Sequence, residues 1–225
     1  MRMRKKKNLD SRCAECGGYL TVLHSPELNS ETACLTPEYL DIVEMFGNDN
    51  PVELEIGCGK GQFVCELAKR NPDINYIAVE VTRNVVVAAA EKARDEALPN
   101  VRFLCVPAEY LPRYLRPASV SRIYLNFSCP FPKSRFKNRR LTHERFLSKY
   151  KLLMQKDAEI HQKTDNMQLF EFSIESFSKN GFALKNISLD LHNSRFEGNI
   201  VTEYENKFAS KGLPIYRLEA YIPQS

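Results

Sequence analysis

The chain has 225 residues, of which 43% are hydrophobic and 27% charged, and its formal net charge at pH 7 is +4. This length suits one domain with a substantial core, and the composition excludes a disordered or fibrous protein. No apolar run reaches the length of a membrane span and no signal-peptide pattern opens the chain, so we expect a cytoplasmic protein without a membrane partner.

Residues 1–35 are predicted to be a basic, largely irregular segment. Cys13 and Cys16 stand three positions apart, and His24 and Cys34 follow. These four side chains could bind zinc, but their spacing is loose and lacks the second close pair of a zinc ribbon. Seven scattered cysteines, an odd number, are typical of reduced thiols. We therefore expect surface thiols here and no metal, with zinc as the alternative.

Residues 36–225 are predicted to form a single α/β domain. Thr36, followed by Pro37, is the expected cap of a helix that ends at Gly47. Strands and helices then alternate, which predicts a mainly parallel seven-stranded sheet with helices on both faces. The predicted strands are 52–56, 74–80, 101–106, 120–127, 158–163, 182–189 and 214–222; the helices are 61–70, 83–97, 108–115, 142–154 and 166–179, with Thr142 as the cap of 142–154.

The turn after the first of these strands is the strongest functional signal in the chain. An apolar run leads into glycines at alternate positions, Gly57, Gly59 and Gly61, and a helical pattern follows. Nucleotides bind at such strand–turn–helix junctions, where glycine lets a ligand approach the backbone. Gln62 stands where a dinucleotide-binding turn needs its third glycine, which disfavours NAD. A glycine turn with a purely structural role is the alternative.

Two carboxylates indicate which nucleotide would bind. Glu55, just before the glycines, suits a cationic amine better than a pyrophosphate because like charges repel. Glu80 closes the next strand, where a carboxylate can accept both hydroxyls of a ribose. An amine and a ribose without phosphates indicate S-adenosylmethionine. The predicted cofactor site also includes Ala108 and Glu109.

A basic loop follows the strand 120–127 and is predicted to lie on the ligand side of the sheet. It runs from Ser128 to Arg140 and has five cations within eight residues, interleaved with aromatic rings. Cations bind phosphates and aromatic rings stack on bases, so this pattern favours a nucleic-acid contact. The cations are Lys133, Arg135, Lys137, Arg139 and Arg140, and the rings are Phe131 and Phe136. A solvated basic loop is the alternative.

Two later segments are predicted to be either helix caps or substrate contacts. Asp165 follows a strand and could cap the next helix. Thr202 is a plausible cap of a short helix, and the carboxylates of Glu203 and Glu205 could instead face the donors of a guanine edge.

From about Val52 to Pro223 the chain resembles the bacterial tRNA (guanine-N7-)-methyltransferases. The stretches that carry the resemblance are LEIGCGKGQF, NPDINYIAVE, YLNFS-P-PK-R--NRRLT, KTDN--LFE, SLDLH-S, TEYE-KF and GLPIYRLEA. The resemblance implies a Rossmann-like class I methyltransferase, either a monomer or a homodimer, that uses S-adenosylmethionine to methylate N7 of a guanine in the variable loop of tRNA.

By position, the resemblance assigns Glu55 and Glu80 to the cofactor. It assigns to the substrate Lys133, Asp165 and the segment Thr202, Glu203, Tyr204 and Glu205.

The chain departs from the family pattern near the reacting centre. The family usually has Asp-Pro-Trp-Pro-Lys where this chain has Cys129, Pro130, Phe131, Pro132 and Lys133. It also usually has an acidic residue at Pro107 and often a histidine at Phe136. Cys129 is therefore the candidate catalytic position. A neutral thiol there leaves three hypotheses: an active methyltransferase, a tRNA-binding protein of the same fold with weakened or lost activity, and a methyltransferase of a small molecule or protein.

Overall fold

The computed structural model describes residues 8–23 and 29–224, except for the side chain of Glu203. The chain divides into two compact units, one up to Arg116 and one from Pro117 onward. Strands alternate with helices in both units, which confirms the predicted α/β class. No helix in the described ranges combines the length and the apolar character that crossing a bilayer requires.

The described residues of the first unit form four parallel strands. They are β1 (Leu20–Val22), β2 (Val52–Ile56), β3 (Asn75–Val79) and β4 (Val101–Cys105), and they lie in the order β1, β4, β3, β2. Its helices are α1 (Leu9–Glu15), α2 (Ser30–Cys34), α3 (Ile42–Phe46), α4 (Gln62–Arg70), α5 (Arg83–Asp95) and α6 (Leu111–Tyr114). All residues of β2 and β3 are buried, as expected of parallel strands covered on both faces.

The predicted irregularity of residues 1–35 is wrong for the part that the structure describes. Two helices and a strand form there, and β1 pairs with β4 from Leu20 opposite Phe103 to Val22 opposite Cys105. This strand brings the total in the described part of the chain to eight instead of the predicted seven. The pairing joins segments about eighty residues apart, so no local sequence pattern predicts it.

The second unit has a mixed sheet. Its strands are β5 (Val120–Asn126), β6 (Met154–Thr164), β7 (Ala183–Ser188) and β8 (Tyr216–Tyr221), in the order β5, β6, β8, β7. β5 and β6 are parallel, and β8 is antiparallel to both of its neighbours. The helices are α7 (Glu144–Leu153), α8 (Met167–Lys179) and α9 (Glu203–Ala209).

The strands of this second sheet separate apolar from polar side chains. Ile123, Ile160 and Ala220 are fully buried, and they lie opposite one another on β5, β6 and β8. Their alternating neighbours are polar or charged, including His161 and Glu219, which face each other across β6 and β8. The unit therefore has its core on one face of the sheet and a polar network on the other.

Two predicted helix caps are wrong. Asp41, and not Thr36, caps α3 by accepting a hydrogen bond from the Glu44 N–H at 2.9 Å. His143 caps α7 through its ring nitrogen, because the hydroxyl of Thr142 is buried and lies 2.8 Å from the hydroxyl of Ser173. The predicted end of the earlier helix at Gly47 is confirmed, with φ at +73°.

Candidate cofactor and nucleic-acid sites

The glycine turn of the first unit joins β2 to α4. The backbone N–H groups of Gly57 and Cys58 both donate to the carbonyl of Val79 at the end of β3, at 2.8 and 3.1 Å. This turn is therefore held against the neighbouring strand. Gly57, Gly59 and Gly61 have φ values of +83°, +57° and +76°, which side-chain-bearing residues rarely adopt.

The three glycines have different reasons to be glycine. A Cβ on Gly61 would lie 2.7 Å from the Cβ of Ala89, so this position allows α4 and α5 to pack closely. A Cβ on Gly57 or Gly59 would meet nothing within 4 Å. The backbone at these two positions therefore borders open space, which a ligand can approach closely.

The predicted cofactor residues lie at one edge of this sheet. β2, β3 and β4 are adjacent and parallel, so the residues after their carboxyl ends share that edge. Glu55 stands near the end of β2, Glu80 follows β3, and Ala108 and Glu109 form a 3₁₀ turn after β4. Pro107 precedes that turn with an extended backbone.

The two strand-end carboxylates differ in their surroundings. Glu55 is buried, with 3% of its surface exposed. Glu80 is half-buried, and its Oε1 accepts a hydrogen bond from the Thr82 N–H at 2.8 Å, which fixes the orientation of the carboxylate. Burial, followed by the charges of Glu55 and Glu80, raises the pKa of the Cys58 thiol well above its ordinary value. The glycine turn is thus flanked by negative charge, which suits a cationic ligand.

A cysteine loop, residues 127–131, follows β5 in the second unit. Phe127 and Phe131 have φ values of +50° and +41°, a conformation that is costly for bulky residues and is found at functional sites. Cys129 lies between them and is exposed. The Phe127 N–H donates to the carbonyl of Lys163 on β6 at 2.8 Å, which holds the start of the loop.

Arg140 holds the other end of the cysteine loop. Its Nε donates to the carbonyl of Pro130 at 2.9 Å, and its Nη2 donates to that of Phe131 at 3.2 Å. The guanidinium group also stacks on the ring of Phe172, 4.5 Å from its centre. This predicted substrate residue is therefore engaged in positioning the loop.

The other predicted cations of the basic loop are exposed. Lys133 immediately precedes a 3₁₀ helix, Ser134–Arg139, that follows the two prolines. The guanidinium groups of Arg135 and Arg139 lie 4.8 and 4.9 Å from the centre of the Phe136 ring. Stacked guanidinium groups keep their N–H donors available, so this arrangement suits phosphate contacts.

Of the two predicted caps near the substrate segments, one is confirmed and one is wrong. Thr202 caps α9 by accepting a hydrogen bond from the Glu205 N–H at 3.0 Å. Asn166, one residue beyond Asp165, caps α8 by accepting from the Leu169 N–H at 2.8 Å. The half-buried carboxylate of Asp165 is thus not used as a cap.

Glu205 is fully buried in an ion pair that the sequence did not predict. Its Oε2 lies 2.8 Å from the ammonium group of Lys163, and its Oε1 accepts from the side chain of Asn199. The same ammonium group also donates to the carbonyl of Ile200 at 2.8 Å and to the Asn199 side chain at 3.1 Å. His192 lies 3.1 Å from the carboxylate. Glu205 therefore anchors its segment instead of presenting its carboxylate to solvent.

The signal of that ion pair in the sequence is Lys163, a charged residue at the end of a predicted strand, immediately before Thr164. Tyr204, in contrast, is 59% exposed. His24 and the side chain of Glu203 lie outside the described residues.

The cysteines of the N-terminal segment are not the predicted surface thiols. Cys13 and Cys16 are buried, and Cys34 is half-buried. Within residues 8–23 and 29–224, the groups that could hold a metal through three or more ligands are limited to Glu159, His161 and Glu219. Those two carboxylates already pair with Lys185 and Arg217, so the cluster forms an ion-pair network on the polar sheet face.

Comparison with known proteins gives consistent results. Residues 49–218 match the protein-family model described as "Putative methyltransferase". The chain is 53% identical over 175 residues to the tRNA (guanine-N(7)-)-methyltransferase of Bacillus subtilis, covering 78% of this chain and 82% of that protein. It is 52% identical over 177 residues to the Listeria monocytogenes protein of the same name, covering 79% and 83%.

Among solved structures, an antibiotic-related methyltransferase superposes with a TM-score of 0.58 at 16% identity, covering 88% of this chain and 94% of the other. At that identity the likeness concerns the fold alone. It confirms the class I methyltransferase fold.

Proposed function

Because the chain belongs to the tRNA (guanine-N7-)-methyltransferase family, we propose that it transfers the methyl group of S-adenosylmethionine to N7 of a guanine in the variable loop of tRNA. The observation that carries this proposal is the open glycine turn of the first unit between two carboxylates. Gly57 and Gly59 leave space beside the backbone, and Glu55 and Glu80 stand at the ends of the strands on which the turn rests.

The residues at this turn fit S-adenosylmethionine. Glu55 is the partner for the cofactor's amino group, and Glu80, oriented by the Thr82 N–H, is the partner for the ribose hydroxyls. Ala108 and Glu109 line the same sheet edge. The cofactor supplies an electrophilic methyl group on a sulfonium ion, and the negative surroundings of the turn favour that cation.

The second unit supplies the residues proposed to bind tRNA. Lys133, Arg135 and Arg139 are exposed cations for the phosphate backbone. Asp165 and the Thr202–Glu205 segment contact the nucleotide, with Glu205 acting through the position of its neighbours because it is buried.

Guanine N7 carries a lone pair and no proton, so its attack on a methyl group needs no general base. The protein's contribution is mainly alignment of the reacting atoms, which can supply on the order of 7–11 kcal/mol. The product is a cationic purine, so a carboxylate beside N7 would add electrostatic stabilisation. Cys129 provides no charge at the position where the family usually has aspartate, and this favours a second candidate, a tRNA-binding protein with weakened or lost activity.

Single-turnover methylation tests the proposal. Unmodified tRNA is mixed with labelled S-adenosylmethionine and the wild-type protein, Cys129→Asp or Cys129→Asn, and the labelled nucleoside is identified by mass spectrometry. We expect N7-methylguanosine from the wild type and a rate at least tenfold higher for Cys129→Asp, which corresponds to about 1.4 kcal/mol of barrier. The asparagine variant has the shape of aspartate without its charge and should show no such gain.

Two results would contradict the proposal. Cys129→Asp and Cys129→Asn proteins with equal rates would refute the electrostatic role of the missing carboxylate. Full tRNA binding without methylation by any of the three proteins would establish the tRNA-binding alternative.

A further inference from the structure

We propose that Phe127 and Tyr204 form a stacking platform for the target purine of the tRNA. This inference rests on the proposed function and adds a base-binding site to it. The two rings come from different elements, Phe127 from the start of the cysteine loop and Tyr204 from the first turn of α9. Their planes are within 20° of parallel, and their centres are 6.4 Å apart.

The exposure of Tyr204 is unusual for a residue held this firmly. More than half of its surface is open to solvent, while its neighbours Thr202 and Glu205 are buried. Thr202 caps the helix, and Glu205 pairs with Lys163. A large aromatic ring that is presented to solvent from an anchored backbone has little conformational entropy left to lose on binding a partner.

Lys163 connects the two halves of this platform. Its backbone carbonyl accepts the hydrogen bond from the Phe127 N–H at 2.8 Å, and its ammonium group lies 2.8 Å from Glu205, the residue after Tyr204. Only 7% of the Lys163 side chain is exposed, and this burial restricts its motion. One residue of β6 therefore sets the positions of both rings.

The backbone conformation of Phe127 also supports a role for its ring in binding the base. Its left-handed conformation, with φ at +50°, is a cost that the surrounding structure must compensate. The hydrogen bond to Lys163 holds this conformation two residues before Cys129, the candidate reacting position. The strained backbone thus places an aromatic ring beside the segment where the target base is expected.

The chemistry of the platform suits a purine that becomes cationic. An aromatic ring can stack on any of the four bases. Stacking on the protein requires that the base first leave its stack in the RNA. Methylation at N7 leaves a positive charge on the purine, and the faces of aromatic rings attract cations. The platform would therefore bind the guanine and hold it more strongly as the reaction proceeds.

The absence of tryptophan from the chain provides a direct test. Tyr204→Trp introduces a single fluorescent indole at the platform. The protein is titrated with an unmodified tRNA transcript and with the same tRNA carrying an abasic site at the variable-loop guanine. We expect strong quenching with the intact tRNA and at least a threefold smaller change with the abasic one. Tyr39→Trp, at a partly exposed tyrosine of the first unit, is the control and should not distinguish the two RNAs.

Kinetics provide the second measurement. Tyr204→Leu and Phe127→Leu should raise KM for tRNA on the order of tenfold, because stacking of one base contributes that much or more to affinity. Tyr204→Phe, which keeps the ring, should lose much less. Cofactor affinity measured by calorimetry should stay the same in all three variants.

The outcomes separate this inference from the proposed function. Equal quenching by intact and abasic tRNA, with a wild-type protein that methylates guanine, would overturn the platform and leave the methyltransferase proposal standing. Quenching that depends on the base, with a wild-type protein that methylates nothing, would support the platform and overturn the proposed activity.

Discussion

Loss of one partner of the buried ion pair between Lys163 and Glu205 should strongly destabilise the second unit. We choose Glu205→Gln, because glutamine keeps the shape of the side chain and removes its charge. The variant leaves a buried ammonium group without its carboxylate partner, still donating to the carbonyl of Ile200 and the side chain of Asn199.

The loss of unfolding free energy in Glu205→Gln follows from the burial of both side chains. Only 7% of the Lys163 side chain and none of the Glu205 side chain are exposed, so solvent cannot replace the lost charge. Removal of one partner of such a pair costs about 3–5 kcal/mol. With urea dependences of roughly 1–3 kcal/mol per molar, the unfolding midpoint should fall by about 1 M or more.

The assay is urea unfolding followed by circular dichroism at pH 7. Glu175→Gln is the matched control, since Glu175 pairs with Lys179 on α8 and both side chains are exposed. This control should shift the midpoint very little, because solvent screens exposed pairs. Replacement of both partners, Lys163→Met with Glu205→Leu, should recover part of the loss.

Equal midpoints for Glu205→Gln and Glu175→Gln would refute this reasoning, because they would mean that water reaches the Lys163 ammonium group in solution. A double variant less stable than Glu205→Gln would contradict the assignment of the cost to an uncompensated charge.

Two further predictions concern the first unit. Gly61→Ala should destabilise the fold by about 2–5 kcal/mol, because the new Cβ collides with that of Ala89 and the residue has a positive φ. Gly59→Ala should cost only about 1–2 kcal/mol for the positive φ, and it should weaken cofactor binding. Equal urea midpoints for the two variants would contradict this prediction. Arg12 donates to both carboxylate oxygens of Glu91 at 2.6 Å, and this contact lowers the pKa of Glu91 below its usual 4.5. The pair therefore stabilises the fold fully above about pH 4.5 and is lost as the pH falls through the lowered pKa, so Arg12→Ala should reduce the melting temperature more at pH 7 than at pH 3.

The sequence predicted the elements that depend on local pattern. β2 alternates apolar with acidic residues, β3 is a nearly continuous apolar run, and the helix ending at Gly47 has the glycine that its left-handed cap requires. Caps were less predictable where tertiary contacts compete for the side chain. Thr142 had the residue type of a cap, but Ser173, thirty-one residues later, engages its hydroxyl inside the core.

In the candidate site, too, features set by the local sequence were predictable and features set by tertiary contacts were not. The glycine turn was visible because its conformation demands a residue type, and that demand is local. Arg140 and Glu205 looked like solvent-exposed charges, because nothing nearby in the sequence reveals their partners. Arg140 contacts carbonyls ten and nine residues earlier, and Glu205 pairs across forty-two residues. Their roles in positioning the site became visible only in the folded chain.

The exposure of the Cys129 side chain determines how the methylation rate of Cys129→Asp can be interpreted. Because the thiol is exposed, a carboxylate at this position would remain hydrated, and the desolvation cost of an unpaired buried charge does not arise. The loop around it is fixed by Arg140 and by the hydrogen bond from Phe127, neither of which involves the Cys129 side chain. Cys129→Asp should therefore fold as well as the wild type. A difference in methylation rate between these two proteins can then be attributed to charge at the reacting position rather than to repacking of the loop.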